Sequence, residues 1–139
     1  MGTMVIPYLS FYGDCKQAIE IYTKAFGGQI NYVSYWGEVN CNDSKQWGKV
    51  MHVEFTIGDT AMSGGDQLTP ISINEAVKLM VHMSSKEEAL KSIEILSDGG
   101  KLVSPLMPHP KPDDGGTGAL VKDAFGYTWI ITCPNPDKE

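Results

Sequence analysis

Chemistry in this chain is concentrated on a few alternating stretches. Residues 49–57, KVMHVEFTI, put Met51, Val53, Phe55 and Ile57 on one side and His52, Glu54 and Thr56 on the other. His52 and Glu54, two apart on one strand face, can meet as a base and its orienting carboxylate, or as half of a displaced metal site. They can equally be a hydrogen-bonded pair on a partly wet sheet surface. A second alternating stretch, VKLMVHM at 77–83, aligns Lys78, Met80 and His82, which suits an anionic ligand or a plain polar face. Tyr8, Tyr12, Trp36 and Trp47 can stack on a flat ligand or pack in the core or at a subunit contact. His109 lies in a proline-rich run and reads as a solvated loop residue. Cys133, next to Pro134, has no neighbouring base in sequence to activate it.

Composition narrows the classes. The chain has 139 residues, enough for one domain with a sizeable core, and a formal net charge of -6. Its basic residues are all lysine, with no clustered basic face, so a nucleic-acid partner is not expected. No apolar run reaches the roughly 20 residues of a membrane span, and no charged-then-apolar leader opens the chain, so a cytoplasmic protein without a membrane partner is expected. Cys15, Cys41 and Cys133 are odd in number and lack CxxC spacing, which predicts free thiols rather than disulfides or a zinc site.

The elements that must position these residues come in a repeated order. Residues 4–11 read as a strand demoted to an edge by Pro7. Asp14, with Gln17 as capping-box partner, opens a helix whose stripe is Ala18, Ile19, Tyr22, Ala25 and Phe26, closed by Gly27-Gly28. Strands follow at 29–36, 49–57 and after the Gly58-Asp59 turn, with a polar loop at 37–48. Residues 66–76 connect the halves. Then come a strand at 77–83, a helix capped by Ser84 or Ser85 and ending at Gly99-Gly100, and strands at 101–106, 118–123 and 127–132, with a loop at 107–117. The chain thus reads as a single α+β domain, 1–139, made of two βαβββ modules at 4–66 and 77–133.

This paired module resembles the vicinal oxygen chelate superfamily of glyoxalase I, extradiol dioxygenases, and fosfomycin and bleomycin resistance proteins. YLSFYGDCKQAIEIYTKAFGG, KVMHVEFTIGD and DAFGYTWIIT are similar to its PhnB-like branch, with its FYGxxxxAxxFYxxxFGG and closing FGxxW. Members of that branch are often labelled 3-demethylubiquinone 3-methyltransferase, but no glycine-rich nucleotide loop follows the first strand here, so the sequence does not support methyl transfer. The resemblance implies two curved mixed sheets enclosing a cavity, and, in enzyme members, a divalent metal held from the first and fourth strands of each module. Counting from the helix caps and the IG and FG turns places those four positions at Pro7, Met62, Lys78 and Ile130, none a competent ligand for a hard or borderline ion. A slip of one residue finds no carboxylate or imidazole either. No cofactor is therefore expected.

The expected cavity lining, on the face away from the helices, is Leu9 and Phe11, then His52, Glu54 and Thr56, then Lys78, Met80 and His82, then Thr128, Ile130 and Thr132, with Trp36 and Trp47 available from the loop. The functional expectation is a small-molecule-binding protein with a metal-free cavity, working as a homodimer as the resemblance implies. The alternatives are a lyase, isomerase or dioxygenase-type enzyme using His52 and Glu54 with a nonstandard metal, and a structural dimer without ligand.

Overall fold

The computed structural model describes residues 2–138, without the side chain of Lys138, and divides into two compact units, 1–72 and 73–139. Each unit runs strand, helix, strand, strand, strand. The first contains β1 (Tyr8–Phe11), α1 (Cys15–Phe26), β2 (Gly28–Tyr35), β3 (Val50–Ile57) and β4 (Thr60–Asp66). The second contains β5 (Leu79–His82), α2 (Lys86–Ser97), β6 (Lys101–Pro108), β7 (Gly116–Lys122) and β8 (Thr128–Pro134). The sheets are four-stranded, open and mixed, in the orders β1-β4-β3-β2 and β5-β8-β7-β6; β1 and β5 run parallel to β4 and β8, and the remaining pairs are antiparallel. The architecture is α+β, a strand–helix–strand–strand–strand unit used twice.

One helix lies against one face of each sheet, leaving an open face on the other side. In the first unit Cys15, Ala18, Ile19, Tyr22, Ala25 and Phe26 form the buried stripe of α1, matched by Val53, Phe55 and Ile57 of β3. In the second, Ala89, Ile93 and Leu96 of α2 meet the side of the sheet that carries Val121, Trp129 and Ile131. A fully buried aromatic such as Tyr22 or Trp129 contributes about 2–3 kcal/mol from area removed from water alone.

The double glycines end both helices by the same division of labour. Gly27 and Gly99 take positive φ, 72° and 78°. Gly28 opens β2 and Gly100 immediately precedes β6, where a Cβ would stand 1.9 Å from the Thr56 carbonyl oxygen and 2.2 Å from that of Lys122. The first glycine supplies the turn; the second lets two backbones approach.

Three local expectations are corrected. The opening strand is shorter than 4–11, because Met4 and Val5 stand exposed and pairing begins at Tyr8. Asp14 makes no side-chain cap; the N–H groups of Gly13 and Cys15 instead donate to Asp66 Oδ1 at 2.7 and 3.0 Å. β6 runs on to Pro108, past the expected end of its strand. In the second helix Ser85 is the cap, accepting from the Glu88 N–H at 3.2 Å, and all three cysteines are free.

Candidate functional site

The open face of the first unit collects the densest chemistry. Because Val53, Phe55 and Ile57 are held under α1, strand alternation turns His52, Glu54 and Thr56 to the other side. Strand register then builds one row across the sheet: Tyr8 opposite Ser63, Ser63 opposite Glu54, and Glu54 opposite Tyr32. Tyr32 reaches this row through a bulge. Ile30 pairs with Phe55 on the helix side, and the register shift at Asn31 delivers Tyr32, rather than its neighbour, opposite Glu54.

His52 sits between the two tyrosines. Its ring lies 6.0 Å from that of Tyr8 at an interplanar angle of 22°, and 6.4 Å from that of Tyr32 at 50°. Its Nε2 is 3.3 Å from Glu54 Oε2. With the proton on Nε2 facing the carboxylate, Nδ1 is left as an acceptor. Gly65 makes room for this packing: a Cβ there would stand 2.7 Å from the Tyr8 hydroxyl. The Tyr8 phenol titrates above its usual range, through burial first and then electrostatic coupling to Cys15 and Asp66, so it is neutral at physiological pH. Tyr8 and Tyr32 are each half exposed, at 53% and 52%.

Leu9 and Phe11 do not belong to this face. They are 6% and 1% exposed on the helix side, with the Phe11 ring 6.5 Å from Tyr22 of α1. The metal-position count fails here for the same reason. Phe11 stands four residues before α1 and Val81 five before α2, yet both face their helix, so equal distances from the helix caps fall on opposite faces. Leu9 being on the helix side, alternation puts Pro7 there too and gives Tyr8 the open-face position. Met62 is likewise misplaced: it is buried opposite Phe55, while Ser63 faces outward. The two-residue Gly58–Asp59 turn sets Thr60 against helix-side Ile57, whereas the longer β7–β8 connection sets Thr128 against Lys122 on the open side.

The second unit's open face carries Met80, His82, Thr128, Ile130 and Thr132. His82 Nδ1 lies 2.8 Å from Thr132 Oγ1. His109, read as a loop residue, folds onto the sheet: its Nε2 is 2.8 Å from where a Gly118 Cβ would stand, and its ring also crosses Gly116. The sequence signal was the spacing of those glycines, two apart, which clears one face of β7. Lys78 precedes β5 and donates to the Glu75 carbonyl. Trp36 and Trp47 lie in short 3-10 turns between β2 and β3, and their indole N–H groups donate to the carbonyls of Asp66 and Cys41.

Two buried aspartates brace these faces. Asp66 accepts from Gly13, Cys15 and Val50, tying the β1–α1 loop and the start of β3 to the end of β4. Asp123 accepts from the Phe125 and Tyr127 N–H groups and from Trp129 Nε1 at 2.9 Å, shaping the β7–β8 connection. Neither was singled out from sequence.

Residues 3–132 match the family described as 3-demethylubiquinone-9 3-methyltransferase. The chain belongs to this PhnB-like family. No curated protein sequence matches it. Among solved structures, a protein of Pseudomonas aeruginosa is 24% identical over 96% of this chain and 98% of its own, with a TM-score of 0.83. A Bacillus cereus PhnB protein, titled a 3-demethylubiquinone-9 3-methyltransferase, is 22% identical over 94% and 99%, with a TM-score of 0.81. The fosfomycin resistance protein FosX of Listeria monocytogenes is 13% identical over 99% and 98%, with a TM-score of 0.66. These likenesses place this PhnB-like chain in the vicinal oxygen chelate fold.

One structure of the Listeria protein is complexed with Mn(II). The corresponding donor set does not fit such an ion here. The open face of β1 offers a neutral phenol, that of β4 the Ser63 hydroxyl, that of β5 Met80 and a His82 already 2.8 Å from Thr132 Oγ1, and that of β8 Ile130 and threonines. His52 and Glu54 supply two donors from β3, and among the described residues no group of three or more His, Cys, Asp or Glu side chains could hold a metal ion.

Proposed function

We propose that this PhnB-like protein binds a small, flat organic molecule on the open face of its first unit. The observation that carries this reading is the row Tyr8, His52 and Tyr32, three rings on one sheet face with both tyrosines half exposed. Exposed aromatic rings held by strand backbone cost little conformational entropy to present, and a planar ligand stacking on them gains contact area. Ser63, Glu54 and His52 supply the few polar groups that would orient it. The architecture is compatible with holding a small organic molecule, since a variant of the FosX protein is complexed with 1S,2S-dihydroxypropylphosphonic acid. The test is a fluorescence or calorimetric screen of planar ligands against the wild type and the Tyr8→Leu and Tyr32→Leu variants. Each variant is expected to weaken binding by about ten-fold with an unchanged far-UV spectrum; hits insensitive to both overturn the reading.

The His52–Glu54 contact at 3.3 Å favours a second reading, acid–base catalysis on the bound molecule, with His52 as base and Glu54 as its orienting group. Turnover of any substrate that survives His52→Ala removes it. Methyl transfer, named by the family description, is not adopted: the Gly13 and Cys15 N–H groups that follow β1, where a doubly wound fold would hold a nucleotide, are committed to Asp66. The reading includes a cytoplasmic homodimer, in keeping with three free thiols and with the edge position of β2 in its sheet. Light scattering that returns a monomer at working concentration would remove the dimer.

A further inference from the structure

We infer that the ligand of the first unit's open face is a planar cation: a flat ring carrying an ammonium group or a protonated ring nitrogen. This rests on the site proposed above and adds its charge. Strand register assigns the positions of this face, and besides the aromatic row they are serine, threonine, glutamine, alanine and glycine, with Val50 at the start of β3 and Asn31 beside Gln29 at the bulge. Among the described residues Glu54 is therefore the only carboxylate at a strand position of this face, with a side chain 57% exposed. Its neighbour at 3.3 Å is an imidazole that offers a shared proton rather than a fixed cation. Among the described residues no lysine reaches Glu54, Tyr8 or Tyr32. The one lysine seated on a tyrosine ring in this unit, Lys49 at 4.4 Å, is over Tyr12.

Physical chemistry then selects the occupant. An aromatic ring attracts positive charge over its face, and Tyr8 stays an uncharged phenol, so two tyrosine faces and one carboxylate act in the same direction. An anion would meet Glu54 with nothing on this face to offset it except a protonated His52. The formal charge of -6 steers cations toward the whole chain and anions away from it. The neighbouring Ser63 hydroxyl, opposite both Tyr8 and Glu54, can take or give one further hydrogen bond.

The experiment uses one ring with three charges: 2-naphthylmethylammonium, 2-naphthalenemethanol and 2-naphthoate, titrated calorimetrically into the full chain at neutral pH. The ammonium is expected to bind about ten-fold tighter than the alcohol and the carboxylate weaker than both. Glu54→Gln should abolish the preference of the ammonium over the alcohol, and added salt should weaken the ammonium alone. A preference for the carboxylate, or a cation preference that persists in Glu54→Gln, overturns the inference. If binding depends on Tyr8 and Tyr32 but ignores charge, the cation inference falls and the site stands. If no probe binds, or none responds to Tyr8→Leu and Tyr32→Leu, both fall.

Discussion

The two units share a topology and a way of ending a helix, yet their open faces have different chemistry. In the first, a bulge at Asn31 and a missing side chain at Gly65 gather Tyr8, Tyr32, His52 and Glu54. In the second, glycines at 116 and 118 admit His109, and His82 is occupied with Thr132. The first face presents rings and a carboxylate outward; the second spends its imidazoles on the sheet itself. A duplicated frame therefore constrains where side chains can point, while a few backbone irregularities decide what is offered there.

The sharpest way to break that comparison is through the buried aspartates. Asp66 joins segments far apart in sequence, and Asp66→Ala strands the buried N–H groups of Cys15 and Val50 as well as that of Gly13. A loss of about 3 kcal/mol or more is expected in urea unfolding. Asp123→Ala removes contacts within six residues, two of them at part-buried N–H groups that water can reach, and should cost about 2 kcal/mol. Equal losses would mean the two aspartates do the same job.

The second glycine of each pair tests the likeness of the units. Gly28→Ala and Gly100→Ala push a Cβ into a neighbouring carbonyl, and each should cost about 2 kcal/mol by the same measurement. A tolerated change at one of them would show that the close approach matters in one unit alone.

An alkaline dependence is expected from the first unit. Burial, reinforced by the Asp66 carboxylate, pushes the Cys15 thiol up to about 12. Its folded pKa lies above the unfolded value near 9.0, so its contribution is fully present below pH 9 and is lost as pH rises through about 12. Stability should fall there by roughly 1 kcal/mol per pH unit, and Cys15→Ala should flatten that slope in unfolding measured at successive pH values. The smallest stability effects belong to the open faces. Glu54→Gln should change stability by less than about 0.5 kcal/mol, because an exposed pair contributes little. Gly118→Ala should cost no more than about 1 kcal/mol, since the end of the His109 side chain can move, and should instead shift the His109 ring resonances.

Much of the frame was legible in the chain. The helical stripes, the alternation of β3 and the paired GlyGly endings are local patterns with one physical solution each, and they were enough to recognise the fold. His52 and Glu54 were legible for the same reason: two residues apart on a strand is a statement about one face. What failed was counting across elements. A register difference of one residue reverses every side chain on a strand, and it moved Leu9, Phe11, Pro7 and Met62 to the helix side, although the polar and apolar alternation of Tyr8, Leu9, Ser10 and Phe11 already carried the correct answer.

The sequence by itself determined the order of the elements and the repeat of that order, because these depend on residue types and short-range periods. Only the tertiary structure decided which residues share a face. Tyr32 reaches His52 through a bulge, Asp66 reaches three distant N–H groups from the end of β4, and His109 lies down on glycines. Each of these depends on which backbone groups pair across strands, and pairing energy is shared between segments that no local window contains.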